Sequence, residues 1–252
     1  MKKSFLNHSQ PLLTVMLQCE YPDVAVGRIR NANSLGADAY GLQSEVLLPE
    51  FQTVDTYKRL FAEMNNKPCY VTNYRNAHNT GKTDDQLAQG MELLAESGAT
   101  LIDVMGDLFC RHPEELTEDH QAIQKQIKLI DRLHELGAEV LMSSHLYKFA
   151  PAERVMEIAL EQKRRGADIV KIVTAADDMQ QQIENLRITD LLKRELGMPF
   201  LFLSGDECSI HRRLGMRLGC CMALCVYEHD KFSTTWQPLL SVMKNIKDNI
   251  DF

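Results

Sequence analysis

Two residues of the sequence, Lys171 and His145, have side chains suited to covalent chemistry. Lys171 stands in the run GADIVKIVTAADD, where every neighbour within two residues is Val or Ile. A buried ammonium is costly unless it is paired or neutralised, so such a lysine either extends to the surface at a strand end or is an amine with altered chemistry. His145 ends another apolar run, LMSSH.

Together, a lysine and a histidine suit imine chemistry. A lysine desolvated by Val and Ile loses its proton more readily and can attack a ketone. Histidine can then remove a proton from the carbon beside the iminium and protonate a departing hydroxyl. Because the iminium is the electron sink, this chemistry needs no metal or cofactor. Taken alone, His145 also fits a structural histidine, and Lys171 an ion pair with a nearby carboxylate.

A repeated phrase indicates the elements that must position these two residues. Gly-Ala, one further residue and an apolar run recur in LGADAYGL, SGATLIDV, LGAEVLMS and RGADIVKI, each after a helical pattern. The glycine is predicted to close a helix in the left-handed conformation, and the residues after it to form a buried strand. This is the αβ unit of a parallel sheet.

The template predicts eight strands and a (β/α)8 TIM barrel forming one domain over residues 1–252. The helix with the clearest periodicity lies in TEDHQAIQKQIKLIDRLHELG, with Ile and Leu on one face and Gln, Lys and Glu on the other. A doubly wound sheet is the competing fold, but the segment VMLQCEYPD after the first strand has no glycine for a phosphate loop. The strands are predicted near 12–18, 39–46, 68–74, 100–105, 139–144, 168–174, 199–204 and 220–227.

The composition narrows the class of partner. The 252 residues carry a net charge of -7 without a basic stripe, which argues against nucleic acid or an anionic membrane as partner. No apolar run approaches the roughly 18 residues of a membrane span or a signal peptide's core. The seven cysteines show no CxxC pair, so reduced core thiols are expected. We therefore predict a cytoplasmic protein that acts on a small molecule.

In a barrel, polar residues late in the strands form the site, which places His145 and Lys171 on neighbouring strands at one rim. Their motifs, VLMSSHLYKFAPAE and GADIVKIVTAADD, resemble the strand 5 and strand 6 motifs of type I 3-dehydroquinate dehydratases, which are (β/α)8 Schiff-base lyases. The resemblance implies a general acid/base at His145 and the imine at Lys171. GDECSIHRRLGMRLGC is similar to the family's segment with the arginine that binds the substrate carboxylate, which falls on Arg212.

The resemblance extends to further substrate-binding positions and to the assembly. VTNYRN resembles the family's strand 3 and places an arginine at Arg75. KFSTTWQPL is similar to a family segment with a serine and a glutamine, which fall on Ser233 and Gln237. The family also implies a homodimer.

Four positions depart from the family pattern. A Glu and an Arg of strand 2 are replaced by Gly41 and Gln43, the glutamate that orients the histidine by Asn79, and a strand 4 glutamate by Met105. If these positions face the pocket, hydrogen bonds to particular substrate hydroxyls are lost, and discrimination for those hydroxyls should weaken.

Three functions follow from these observations. The first is a hydro-lyase that dehydrates 3-dehydroquinate, or a closely related cyclic hydroxy-keto acid, through an imine at Lys171. The second keeps the imine but cleaves or dehydrates a different oxo-acid, as a Schiff-base lyase or aldolase. The third is a ligand-binding barrel without turnover.

Overall fold

Strands and helices alternate along the described part of the chain, as the repeated Gly-Ala phrase predicts. The computed structural model describes residues 3–205 and 208–250. Each strand is a short, almost fully buried apolar run, typical of a parallel sheet covered on both faces. The strands are β1 Leu12–Leu17, β2 Ala39–Gln43, β3 Cys69–Thr72, β4 Leu101–Met105, β5 Glu139–His145, β6 Ile169–Thr174, β7 Phe200–Ser204 and β8 Met222–Cys225.

Within the described residues, an α-helix follows each of the eight strands, and short 3-10 turns follow β2 and β3. Four of the helices begin at a Thr or Asp side chain that accepts a hydrogen bond from the first turn, as at Thr83 and Asp119. No described helix is long and apolar enough to cross a membrane. The helices are α1 Pro22–Ser34, α2 Val54–Glu63, α3 Asp84–Glu96, α4 His120–Glu135, α5 Ala152–Arg164, α6 Met179–Glu195, α7 Ser209–Leu214 and α8 Leu240–Asn249.

The sheet is parallel and almost closes on itself, in the order β7-β6-β5-β4-β3-β2-β1-β8. Its two ends meet where the Cys221 backbone N–H donates to the Phe200 carbonyl at 2.9 Å. The predicted (β/α)8 barrel is therefore confirmed. On β5 and β6, Ser143 lies opposite Lys171 and His145 opposite Val173, so both predicted catalytic residues come from neighbouring strands.

The helix ends have the conformation that the sequence predicts. Gly36, Gly98, Gly137 and Gly166 have φ between 86° and 104°. After each of them an Ala N–H bonds back to a carbonyl of the preceding helix, for example Ala99 to Leu94 at 3.1 Å. Glycine adopts this left-handed backbone without a Cβ clash, so each phrase ends a helix and directs the chain into a strand.

Several strand ends differ by a few residues from the predicted ranges, most of all at β2, β3 and β8. Two differences from the sequence-based expectations have a clear physical reason. Strand β2 ends at Gln43 rather than near residue 46, because Ser44–Val46 form a 3-10 turn. On α4, the buried face includes Gln126, which was expected on the solvent face. Gln126 donates to the carbonyls of Gly106 and Leu108 at 3.0 and 2.8 Å, so its burial satisfies the backbone of the loop after β4.

The role of these glycines can be tested at Gly98, where a Cβ would meet only one atom, at 4.0 Å. Gly98→Ala should lower the free energy of unfolding by about 1–2 kcal/mol, because alanine is strained at a φ of 104°. Gly27→Ala, on the exposed side of α1 with open space around the new methyl, should instead raise it by about 0.5–1 kcal/mol. Urea denaturation measures both; equal effects would contradict the conformational explanation.

Candidate active site

The C-terminal ends of the strands open into a cavity of about 620 Å³. Parallel barrels place their sites at this end. The cavity wall combines charged, aromatic and apolar side chains from all parts of the barrel. Seven residues that the sequence predicts for the site lie on it: Gln43, Arg75, Met105, His145, Lys171, Arg212 and Gln237.

Strands β1 to β4 and the loops after them contribute both methionine and polar side chains to the cavity wall. Gly41 is not among the described residues that line the cavity. A Cβ at Gly41 would lie 2.3 Å from Met16 Sδ, so the Met16 side chain fills the space above this glycine. Met16 and Met105 both line the cavity. Gln43 accepts a hydrogen bond from Gln18 at 3.0 Å, so a pair of neutral amides stands beside the methionines.

Two other predicted residues lie outside the described cavity wall. Asn79 is fully buried and donates to Asn73 Oδ1 at 2.7 Å and to the Tyr74 carbonyl at 3.0 Å, which directs it into the β3 loop rather than toward His145. Ser233 accepts from the Asp230 N–H at 2.8 Å and thereby caps its own loop. The structure does not bring these two side chains together with the lysine.

Lys171 lies in a polar cluster inside the barrel and is only 4% exposed. Its Nζ donates to Tyr74 OH at 2.7 Å, Tyr70 OH at 3.0 Å and Asp103 Oδ2 at 3.1 Å. The expectation that apolar neighbours surround the amine is wrong. Val170 and Ile172, on either side of Lys171 in sequence, alternate to the other face of β6. The groups that meet the Lys171 amine come from β3, β4 and the loop after β3.

Asp103 provides the negative charge of this cluster and is fully buried. Burial alone would raise its pKa, but the charge of Lys171 and hydrogen bonds from Ser143, Tyr70 and Tyr74 outweigh that effect and lower it. Ser143 donates to Oδ1 at 2.6 Å, and both tyrosines donate to Oδ2 at 2.5 Å. The ammonium and the carboxylate therefore stabilise each other's charge in the interior.

The Glu115 carboxylate, which was not predicted from the sequence, holds His145. Glu115 Oε2 accepts from the His145 backbone N–H at 2.8 Å and also bonds to ring atom Nδ1. Tyr74 packs edge-on to the imidazole at 5.6 Å between ring centroids, and Tyr147 stacks on it at 6.0 Å. A carboxylate at Nδ1 favours the tautomer with the proton there, which leaves Nε2 to accept or deliver protons.

The loop between β4 and α4 holds Glu115 in an uncommon conformation. Its φ is 49°, in the left-handed region, which costs about 1–2 kcal/mol for a residue with a side chain. Ser144 Oγ donates to the Glu115 carbonyl at 2.9 Å. A Cβ on Gly106 would lie 2.5 Å from the same carbonyl, so glycine is required there. Buried Arg165 donates to the Gly106 and Thr117 carbonyls at 2.9 and 2.6 Å and so fixes the backbone of the loop.

Arg212, on α7, brings a positive charge to the cavity wall. Its Nε donates to the Ser204 carbonyl at 2.5 Å, and burial lowers its pKa to about 10. Within residues 3–205 and 208–250, no carboxylate forms an ion pair with Arg212. Asp206 and Glu207, which precede it in the same sequence motif, lie outside the described residues. A guanidinium in this setting is suited to a carboxylate ligand.

Arg75 also lines the cavity, but protein carboxylates already occupy its guanidinium. It forms a bidentate pair with Asp84, with both contacts at 2.8 Å, and a third contact with Asp107 at 2.6 Å. Despite the opposing effect of burial, these partners raise its pKa. Arg75 thus joins the loops after β3 and β4, and its donors are directed away from a ligand.

Four residues of the site were not predicted from the sequence: Tyr70, Tyr74, Asp103 and Glu115. Tyr70 and Asp103 lie inside apolar strand segments, where each can also be interpreted as a residue of the core. Glu115 lies in a loop without periodicity, and no local signal points to it. The described residues include no group of three or more His, Cys, Asp or Glu side chains arranged to hold a metal ion.

These features define a class of protein: a (β/α)8 barrel with a buried lysine on β6 and a carboxylate-bound histidine on β5. The fold is similar to the 3-dehydroquinate dehydratase of Geobacillus kaustophilus HTA426, with a TM-score of 0.82, 14% identity, and coverage of 98% of this chain and 94% of the other. The fold is also similar to the type I enzyme of Clostridium difficile, solved with covalently modified comenic acid. The TM-score is 0.79 and the identity 14%, with coverage of 96% of this chain and 92% of the other. The 3-dehydroquinate dehydratase of Enterococcus faecalis is similar with a TM-score of 0.79 and 15% identity, and the match covers 99% of both chains.

The family assignment comes from the sequence. The model of the type I 3-dehydroquinase family matches residues 14–230. The chain therefore belongs to the type I 3-dehydroquinase family. No curated protein shows a significant match to the sequence.

The contact between Glu115 and His145 predicts the tautomer of the imidazole. In the wild type, nitrogen NMR of histidine-labelled protein should show the His145 proton on Nδ1. Glu115→Gln removes the negative charge while keeping the shape, so both tautomers should appear. Glu114→Gln is the matched control, because Glu114 pairs with Lys148 and Arg154 instead. An unchanged His145 spectrum in Glu115→Gln would contradict the assignment.

Proposed function

We propose that this protein is a lyase that dehydrates 3-dehydroquinate, or a closely related cyclic hydroxy-keto acid, through an imine at Lys171. Membership of the type I 3-dehydroquinase family supports the reaction. The single observation that carries the proposal is the presence of Lys171, His145 and Arg212 on the wall of one cavity. The homodimer implied by the family resemblance stays a prediction.

In the proposed reaction, the Lys171 amine attacks the ketone and water leaves, giving an iminium. His145 removes a proton from the carbon beside the iminium, and the electron pair moves into the iminium to form an enamine. The enamine expels the hydroxyl on the next carbon, which takes the proton from His145 and leaves as water. Hydrolysis then releases the unsaturated ketone and restores the lysine.

Arg212 fits the role of carboxylate anchor. A planar guanidinium can hold a carboxylate through two parallel hydrogen bonds and so fix the ring relative to the reacting groups. Gln237 lines the same cavity, with its Oε1 accepting from the Thr234 N–H at 3.3 Å, which leaves its NH₂ group as a donor for a substrate oxygen. Arg75, bound to two aspartates, is better suited to shaping the cavity than to contacting substrate.

A second candidate function is favoured by Met16 and Met105. These thioethers stand on the side of the cavity where the family resemblance leads us to expect carboxylates, and they offer substrate hydroxyls little hydrogen bonding. The same imine chemistry on a less hydroxylated oxo-acid fits this wall. A comparison of kcat/KM for 3-dehydroquinate with that for simpler β-hydroxy-keto carboxylates separates the two functions.

Lys171 is the most direct target for mutation. Lys171→Met should abolish formation of the conjugated product, and Lys171→Arg should also fail, because a guanidinium stays protonated and cannot attack. Ultraviolet absorbance during incubation with 3-dehydroquinate measures the reaction. Lys125→Met, at a half-exposed lysine on α4, is the control and should retain full activity. Turnover by Lys171→Met would refute the imine mechanism.

His145→Ala should slow turnover by roughly 10²–10⁴-fold, because the proton on the carbon beside the iminium loses its acceptor. Covalent capture at Lys171 by borohydride should persist, since the amine is still present. The two measurements together separate proton transfer from imine formation. Normal turnover in His145→Ala would reduce this residue to a structural role.

A further inference from the structure

The contacts of Lys171 raise a question about how the amine becomes a nucleophile. An ammonium has three donors and no free electron pair. In this structure Nζ lies within hydrogen-bonding distance of three acceptors, Tyr70, Tyr74 and Asp103. A proton must leave Nζ before it can attack a carbonyl, and the site must provide somewhere for that proton to go.

Asp103 is the only one of the three partners that can take the proton as a base. Burial, followed by the charge of Asp103, raises the pKa of the Tyr70 and Tyr74 hydroxyls well above 10, so both remain protonated. Each hydroxyl can nevertheless accept a hydrogen bond from Nζ while donating to Asp103 Oδ2. Tyr74 lies between Nζ, at 2.7 Å, and Oδ2, at 2.5 Å, and lines the cavity.

On the basis of the proposed imine chemistry, we infer that Asp103 is the acid/base partner of Lys171 in imine formation. Asp103 accepts one Nζ proton through the Tyr74 hydroxyl, and the free electron pair forms the bond to the carbonyl carbon. A second Nζ proton passes to the former carbonyl oxygen, giving a neutral carbinolamine. Asp103 then returns its proton to that oxygen, and the C–O bond breaks to release water.

This sequence conserves charge and atoms within the site. The ammonium begins with three protons; one stays on the iminium and two leave in the water molecule. Asp103 begins and ends as a carboxylate, so the ion pair with the ammonium is replaced by an ion pair with the iminium. Because the proton stays inside the site, the rate of imine formation should not depend on solvent pH while the pair stays intact.

The test compares pH profiles in a His145→Ala background, which removes the other candidate base. The rate of covalent labelling at Lys171 is followed by intact-protein mass spectrometry, with 3-dehydroquinate and enough cyanoborohydride to make imine formation limiting. The His145→Ala protein should give a flat profile. Adding Asp103→Asn should slow labelling at neutral pH at least about tenfold, with the rate then rising about tenfold per pH unit, because the proton must go to solvent.

A flat and undiminished profile with Asp103→Asn would overturn the role of Asp103. A complete failure to label the wild type would instead refute the imine chemistry, and this inference with it. Should Asp103→Asn not fold, as judged by circular dichroism, Tyr74→Phe provides the test and should label about tenfold more slowly. Its control is Tyr40→Phe, which removes a buried hydroxyl that donates to the Ile29 carbonyl in a different part of the barrel. Equal rates for Tyr74→Phe and Tyr40→Phe would overturn the inference.

Discussion

The site depends on a buried pair of opposite charges, Lys171 and Asp103. Neither charge is tolerable alone in the barrel interior, since removing one partner of a buried ion pair typically costs several kcal/mol. Ser143, Tyr70 and Tyr74 complete the hydrogen bonds of the pair. This requirement explains the polar residues within otherwise apolar strands. It also keeps Nζ at one position, and the iminium that we propose at this nitrogen would retain the same counter-charge.

The histidine depends on a different constraint, the conformation of the loop after β4. Glu115 reaches His145 only because Gly106 leaves room for its carbonyl and because Ser144 bonds that carbonyl. Gln126 and Arg165, buried on α4 and after α5, satisfy the loop backbone from the opposite side. An irregular loop thus gains a fixed shape from polar side chains on regular elements, and the carboxylate it presents is part of the site.

The sequence predicts those features that follow from local periodicity. The eight strands, the left-handed glycines and the positions of His145 and Lys171 on adjacent strands all depend on patterns within about 20 residues. The partners of Lys171 do not, because Asp103 and Tyr74 are 68 and 97 residues away along the chain. From the sequence, Asn79 was expected to stand in place of the carboxylate that orients the histidine. That carboxylate belongs instead to Glu115, which lies in a different loop. Met16, which fills the space above Gly41, likewise comes from a neighbouring strand.

The decisive measurement is the identification of the residue that bonds covalently to the substrate. The wild-type protein would be incubated with 3-dehydroquinate, reduced with borohydride, digested and sequenced by mass spectrometry. A single modified peptide is expected, with the added mass on Lys171. An adduct on another lysine, such as exposed Lys148, or dehydration without any borohydride-sensitive intermediate, would refute the imine at Lys171.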